Sequence, residues 1–137
     1  REHVHRSLAK IALIEGRYQE SIELLEVENK FFPDPTLSVT AGDIYFKLSD
    51  WENAVEQYCA AVMHIDSDAL LWLKCAQSQF NVKDYEQARV SIDIALKLAP
   101  KNAHIWLLHA NILAKEGHNE AGKKAYAAAK EMLTNSN

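Results

Sequence analysis

The sequence has little that could carry covalent chemistry. It contains no Gly-rich phosphate loop, no Cys-x-x-Cys pair, no His-Glu-x-x-His segment and no nucleophile elbow, the motifs that most often mark a catalytic site. The two cysteines, Cys59 and Cys75, are too few for a disulfide framework, which favours a reducing, cytoplasmic setting. We therefore predict a protein that is not an enzyme and that needs no cofactor.

Its histidines do not form a pattern typical of a metal site. His3 and His5 are two residues apart and diverge on a helix, and His104 and His109 are five apart. Zinc ligands must converge on one point, so we interpret these histidines as ordinary surface or core residues. The sequence predicts no metal.

Long apolar runs and an excess of positive charge are also missing. No stretch approaches the 18 or more apolar residues of a membrane span, and no signal-peptide pattern opens the chain. The formal charge is −4, whereas nucleic-acid binders usually carry a clustered basic face. We expect a protein or peptide partner, no nucleic acid and no direct membrane insertion. Because the chain begins at Arg1 rather than Met, we also expect it to be part of a longer protein.

What the sequence does contain is a repeat of 33 or 34 residues. Two of its ladders hold small side chains and two hold mainly bulky ones: Ala9/Gly42/Ala76/Ala110, Ser21/Ala54/Ala88/Gly122, Leu25/Tyr58/Ile92/Tyr126 and Tyr18/Trp51/Tyr85/Asn119. Such a repeat is typical of a helical hairpin copied along a solenoid, in which small residues let helices approach and bulky ones fill the space between them. We therefore expect Tyr58 and Tyr126 to be core residues.

Capping residues predict where the helices begin and end. Asp34 before Pro35 opens one helix, and Ser49 with Glu52 reads as a capping box for the next. The remaining signals are the caps Asp68, Asn102 and Asp84, the last with Gln87, and the left-handed stops Gly16 and Gly117.

These features resemble the tetratricopeptide repeat family. The motifs that carry the resemblance are Trp72-x-x-Cys75-Ala76, Gly42-x-x-Tyr45, Ala54-x-x-x-Tyr58, Ala88-x-x-x-Ile92 and the closing Pro33 and Pro100. The resemblance implies an all-α, right-handed superhelical solenoid of about four helix-turn-helix units, at about 2–34, 35–68, 69–102 and 103–134, in one domain covering 1–137. Glu28 departs from the pattern because Ala61, Ala95 and Ala129 stand at its place in the other units. We expect the first unit to pack more loosely or to form an end. Asn119 and Gly122 make the fourth unit degenerate as well.

In proteins of this family the first helices line a concave groove that binds ligands. Mapping their positions onto this chain gives twelve candidate residues in three rows and a flank: Val39, Leu73 and Leu107; Lys10, Asp43, Gln77 and Asn111; Leu13, Phe46 and Phe80; with Arg6 and Lys74 beside them. An apolar row next to a polar row suits an extended or helical peptide. This reading requires that Phe46 and Phe80 are not fully buried.

The resemblance also raises a more specific site. One class of the family grips a carboxyl terminus with Lys, Arg and Asn side chains. The matching positions here hold Arg6, Lys10, Thr40, Leu70 and Lys74. Both amides and one lysine are missing, so the specific clamp is not expected.

The leading hypothesis is a scaffold that binds a segment of a partner protein in the groove, within an adaptor or multiprotein assembly. Phe46, Leu73 and Phe80 would anchor the segment, Asp43, Gln77 and Asn111 would fix its register, and Arg6, Lys10 and Lys74 would steer it. One alternative is a self-associating array, a homo-oligomer, because residues 1–68 hold 6 Lys/Arg and 13 Asp/Glu while residues 69–137 hold 9 and 6. Another is a regulatory module of a larger enzyme.

Overall fold

The computed structural model describes residues 3–135, which form eight α-helices and no strands. The helices are α1 Val4–Ile14, α2 Tyr18–Phe31, α3 Pro35–Lys47, α4 Trp51–Val62, α5 Ala69–Asn81, α6 Tyr85–Leu98, α7 Ala103–Lys115 and α8 Asn119–Asn135. The predicted all-α class is confirmed. Among these helices none is long and apolar enough to cross a membrane.

Consecutive helices pair into four hairpins. The first compact unit ends at His64 and contains the α1–α2 and α3–α4 hairpins, joined by packing of α2 on α3. The second begins at Ile65 and contains the α5–α6 and α7–α8 hairpins, joined by packing of α6 on α7. The predicted repeat units at about 2–34, 35–68, 69–102 and 103–134, and a single domain over 1–137, stay predictions.

Side-chain caps begin four of the helices where the sequence predicts. The Asp34 carboxylate accepts from the Thr36 amide at the start of α3, and Asp84 accepts from the Gln87 amide at the start of α6. Asp68 and Asn102 cap α5 and α7 in the same way. These bonds satisfy amides that have no partner inside the helix.

The predicted cap of α4 is wrong by one residue. Asp50, not Ser49, accepts from the Asn53 amide, and Ser49 lies in the left-handed region with φ 60°. Its repeat equivalents share this conformation: Gly16 has φ 78°, Lys83 has 68° and Gly117 has 87°. A left-handed residue therefore ends the first helix of every hairpin, and glycine occupies only two of the four positions.

Each unit has its own apolar core. The first is built from Ala9, Ile22, Leu25, Leu37, Ala41 and Ile44. The second is built from Ala76, Ala88, Ile92, Ala95, Ile105, Leu108 and Ile112. The small-residue ladders lie in these interiors, as expected for helices that approach closely.

The ladder Leu25/Tyr58/Ile92/Tyr126 is buried in the second hairpin but exposed in the fourth. Tyr58 is fully buried over Gly42, and a Cβ atom at position 42 would lie 2.7 Å from Tyr58 Cε1. The prediction that Tyr126 is also core is wrong, because half of its side chain is exposed. The equivalent of Gly42 in that hairpin is Ala110, so the fourth hairpin lacks the glycine over which the Tyr58 ring lies.

Glu28 is fully buried despite its charge. Its Oε2 atom lies 2.6 Å from His3 Nδ1 and 3.7 Å from Arg6 Nε. His3 forms a hydrogen bond with Oε2 and Arg6 brings a positive charge near it, whereas Glu28 Oε1 has no hydrogen-bond partner among the described residues. The polar group is therefore enclosed at a position that holds alanine in the other hairpins.

Candidate functional site

The twelve candidate residues lie on the first helix of each hairpin, and none of them is buried. Six belong to the first unit, on α1 and α3, and are called here the first-unit face: Arg6, Lys10, Leu13, Val39, Asp43 and Phe46. Six belong to the second unit, on α5 and α7, and are called the second-unit face: Leu73, Lys74, Gln77, Phe80, Leu107 and Asn111.

A cleft of about 220 Å³ opens on the first-unit face. It lies between α1, α2 and α3 and brings together three candidates, Arg6, Lys10 and Leu13. Its other lining residues are Ala9, Ser21, Leu25, Thr36, Leu37 and Thr40. The floor is apolar because core residues form it, while cations and hydroxyls stand at the sides. Sequence mapping omitted Thr36, although its spacing of four from Thr40 on α3 places both on one side of the helix.

The two cations of this cleft have different surroundings. Arg6 Nη2 donates to Asp34 Oδ2 at 3.1 Å, and the Arg6 side chain also approaches buried Glu28. Hydrogen bonds from the Thr36 hydroxyl and amide lower the pKa of Asp34, and Arg6 adds to this effect. Lys10 is exposed and makes no ion pair within residues 3–135. Lys10 is therefore the cation that is available to an incoming anion.

Asp43 is held in place by a buried tyrosine. The Tyr58 hydroxyl donates a hydrogen bond to Asp43 Oδ1. Burial, followed by this hydrogen bond and the negative charge of Asp43, raises the pKa of Tyr58 far above its usual value. The tyrosine thus stays a neutral donor at any physiological pH, which fixes the orientation of the exposed carboxylate.

The aromatic candidates are supported from the second helices. Phe46 packs edge-on against Trp51 with ring centroids 4.8 Å apart, and Phe80 lies against Tyr85 at 5.3 Å. Both phenylalanines are half-buried, so the condition that neither be fully enclosed is met. Their ring partners, Trp51 and Tyr85, belong to the aromatic ladder, which therefore supports the candidates in the second and third hairpins.

The second-unit face combines half-buried apolar side chains with amides. Leu73 and Phe80 pack against the second core, as Leu13 packs against the first, so part of each side chain already serves folding. Gln77 Nε2 donates to Asn81 Oδ1 at 3.2 Å, and Asn111 is exposed. This face therefore offers amides for hydrogen bonding beside partly exposed apolar side chains.

Other clefts lie away from the candidates. One of about 240 Å³ involves α2, α3 and Gln57 of α4, and one of about 520 Å³ lies between Lys101 and α8, beside Ala128 and Met132. No candidate residue lines either cleft. Within residues 3–135, no three His, Cys, Asp or Glu side chains cluster as metal ligands would.

Comparison with known proteins supports the helical-repeat interpretation. No family model matches the sequence. The chain is 27% identical over 97 residues to the TPR repeat-containing protein MJ1428 of Methanocaldococcus jannaschii, a match that covers 71% of this chain and 17% of that protein. The chain thus spans about a sixth of the curated relative it matches.

Solved structures of MamA have a similar fold. MamA MSR-1 C2 superposes with a TM-score of 0.88 at 19% identity, covering 98% of this chain and 78% of that one. MamA AMB-1 P212121 gives 0.87 at 19%, covering 93% and 70%. MamA 41-end from Desulfovibrio magneticus RS-1 gives 0.86 at 14%, covering 96% and 75%. At these identities the similarity concerns the fold.

Proposed function

We propose that the chain, which is similar to a TPR repeat-containing protein, binds an extended or helical segment of a partner protein on the faces of its first helices. Helical-repeat proteins commonly recognise other proteins on surfaces made by successive repeats. The residues proposed to take part are those of the first-unit and second-unit faces. A role in an adaptor or multiprotein assembly belongs to the same proposal.

The observation that carries the proposal is the first-unit cleft. Its volume of about 220 Å³ is below the ~300–1,000 Å³ of pockets that enclose whole small molecules. A cleft of this size suits one or two side chains of a longer ligand. Val39, between Leu37 and Thr40, and Phe46, farther along α3, offer further apolar contact.

Charge defines the expected ligand more closely. Lys10 stands beside the cleft without an ion pair in the described residues, so an acidic side chain there would gain a charge-assisted contact. Asp43 presents its carboxylate from a fixed orientation and would accept a backbone N–H of the ligand. We therefore expect a segment with an acidic residue next to an apolar one.

A displayed peptide library tests the proposal. Peptides selected on the native chain should contain an acidic residue flanked by apolar ones. Their affinity, measured by calorimetry, should fall at least about tenfold in Lys10→Glu and in Phe46→Ala, the size expected for removing a central contact. Both side chains keep exposed surface, so the two variants should remain helical by circular dichroism.

Lys30→Glu supplies the matched control. Lys30 is exposed on α2, outside the first-unit face, and the substitution changes the net charge by the same amount. Affinity should change little in this variant. An equal loss of affinity in Lys30→Glu and Lys10→Glu would mean that the net charge of the chain, and not a contact at Lys10, controls binding. Full affinity in both Lys10→Glu and Phe46→Ala would mean that the peptide binds on another surface.

A further inference from the structure

α1 exposes an apolar stripe that the other first helices bury. Val4, Leu8 and Ile11 are 45 to 50% exposed. Their repeat equivalents on α3 are Leu37, Ala41 and Ile44, each at most 5% exposed, and on α7 the outer two are Ile105 and Ile112, both 0%. The same side of each helix is therefore a packing surface, and α1 presents it to solvent.

The helices that cover this side are known within each unit. α2 packs on α3, and α6 packs on α7. Both covering helices are the second helix of the preceding hairpin. The stripe on α1 is thus shaped to receive a second helix of the same kind.

α8 is the second helix of its hairpin, and its surface equivalent to the covering surfaces of α2 and α6 is exposed. Tyr126 on α8 is 51% exposed, whereas its ladder equivalents Leu25, Tyr58 and Ile92 are at most 5% exposed. Ala127, next to it, is exposed as well. The chain consequently carries two matching surfaces, a receiving one on α1 and a covering one on α8.

Charges at the two surfaces match the pairing seen between α6 and α7. Arg89 Nε lies 3.6 Å from Glu116 Oε1, at the end of α7. The repeat equivalents are Lys123 on α8 and Glu15 at the end of α1. Opposite charges therefore occur at the same two positions. Within their own units Glu15 pairs with Arg17, and Lys123 Nζ lies 3.7 Å from Glu120 Oε1.

The interface between α6 and α7 contains a second polar pair, and apolar residues stand at the equivalent positions of α8 and α1. His109 Nδ1 lies 3.9 Å from Asp93 Oδ1 across α6 and α7. The equivalents are Leu8 on α1 and Ala127 on α8, both exposed. The side-chain volumes also balance between the two surfaces. On α8 the larger Tyr126 stands at the position of Ile92, while on α1 the smaller Ser7 stands at the position of Leu108.

We propose that α8 of one copy packs on α1 of a second copy, in the register of the α6–α7 joint. Leu8 would lie against Ala127, Val4 and Ile11 would lie near Tyr126, and Glu15 would pair with Lys123. The contact uses different surfaces on the two copies, so it can add further copies in a row. It goes beyond the proposed peptide binding, because Leu8 and Tyr126 are outside both faces.

Sedimentation velocity over a range of concentrations tests this contact. The native chain should associate further as its concentration rises toward about 100 μM. Leu8→Glu, which places a charge in the stripe, and Tyr126→Glu, which does so on α8, should each weaken association at least about tenfold. Ile14→Glu is the control, since Ile14 is exposed on α1 but its equivalents Lys47 and Lys115 are exposed as well.

Mixing Leu8→Glu with Tyr126→Glu gives the most discriminating result. Leu8→Glu keeps an intact α8 surface and Tyr126→Glu keeps an intact α1 surface, so an equimolar mixture should form a dimer that grows no further. Reversing both charges, with Glu15→Lys and Lys123→Glu in one chain, should restore association that Glu15→Lys alone weakens. A chain that stays monomeric, association that Leu8→Glu leaves unchanged, or a mixture that forms no dimer would each overturn the proposal.

Discussion

Gly42 and Tyr58 form a fitted pair at the scale of single residues. The ring of Tyr58 occupies the space of the missing Cβ, and its hydroxyl is bonded to Asp43. Because the ring is fully buried and held at its far end, it cannot move aside cheaply. We predict that Gly42→Ala lowers the free energy of unfolding by about 1–3 kcal/mol, the usual effect of overpacking, in urea denaturation followed by circular dichroism.

The double variant identifies the cause. Together, Gly42→Ala and Tyr58→Leu recreate the combination of Ala9 with Leu25 in the first hairpin. Gly42→Ala should therefore cost less in the Tyr58→Leu background than in the native one. The coupling between the two sites should be about 0.5–3 kcal/mol. Simple additivity of the two costs would show that the ring is not the obstacle.

His109 should make stability depend on pH. Burial lowers the pKa of this imidazole, and the nearby Asp93 opposes the shift only in part. With the folded pKa below the unfolded one, both states are neutral at high pH and the unfolded state binds the proton first on acidification. The contribution is therefore intact above about pH 6.5 and is lost as the pH falls through the folded pKa.

His109→Gln isolates this effect from the other histidines. The variant should lose less of its unfolding free energy between pH 7 and pH 5 than the native chain does. His104→Gln, at an exposed position on the same helix, is the matched variant to measure in parallel. An identical pH profile for His109→Gln and the native chain would contradict the prediction.

Single residues also mark where sequence prediction stops. The ladder that contains Tyr58 and Tyr126 predicts two buried rings, yet Tyr126 is exposed. The two hairpins differ at the small-residue ladder, which holds glycine in one and alanine in the other. A ladder gives the position of a side chain, whereas its burial depends on whether the facing residues leave room and on what covers the helix.

At the scale of helices and turns, the hairpins share one backbone device. Gly16, Ser49, Lys83 and Gly117 adopt the left-handed conformation that ends each first helix. This conformation costs residues with a Cβ about 1–2 kcal/mol, partly offset by the flexibility that glycine restores to the unfolded chain. We predict that Lys83→Gly raises the unfolding free energy by up to about 1 kcal/mol, and that Gly117→Ala lowers it.

Steric overlap plays no part in the glycine substitution. No atom lies within 4 Å of where a Cβ would stand at Gly16 or Gly117, so the loss in Gly117→Ala would come from the backbone alone. Lys83→Ala is the control, because it removes the charge and keeps the Cβ. Urea denaturation should show no gain for that variant, and an equal gain in Lys83→Ala and Lys83→Gly would mean that the lysine side chain was responsible.

Helix boundaries were more predictable than the turns between them. Asp34, Asp68, Asp84 and Asn102 are residues that favour caps, and each makes the expected bond. The left-handed positions were visible only where glycine occupies them. At Ser49 the sequence signal pointed to a cap instead, since serine is a common cap residue and nothing local distinguishes the two uses.

At the scale of the whole chain, periodicity locates the candidate faces but not their chemistry. All twelve residues lie on first helices and keep exposed surface, as offset counting predicts. Offsets could not show that Arg6 is engaged by Asp34 and Glu28, or that Asp43 accepts from Tyr58. Those pairings join residues 15 to 28 positions apart, and they depend on side-chain packing rather than on helical phase.

The two cores lead to a last prediction, about how the chain opens. Leu25 and Ile92 are repeat equivalents in the first and second core. Truncating either should cost about 2–5 kcal/mol, and in repeat proteins stability is carried mainly by nearest neighbours. In native-state hydrogen exchange, Leu25→Ala should reduce protection most in α2 and α3, and Ile92→Ala most in α6 and α7. Because the two variants are each other's control, a uniform loss over all eight helices in both would instead indicate one cooperative domain, as a single repeat domain over 1–137 would unfold.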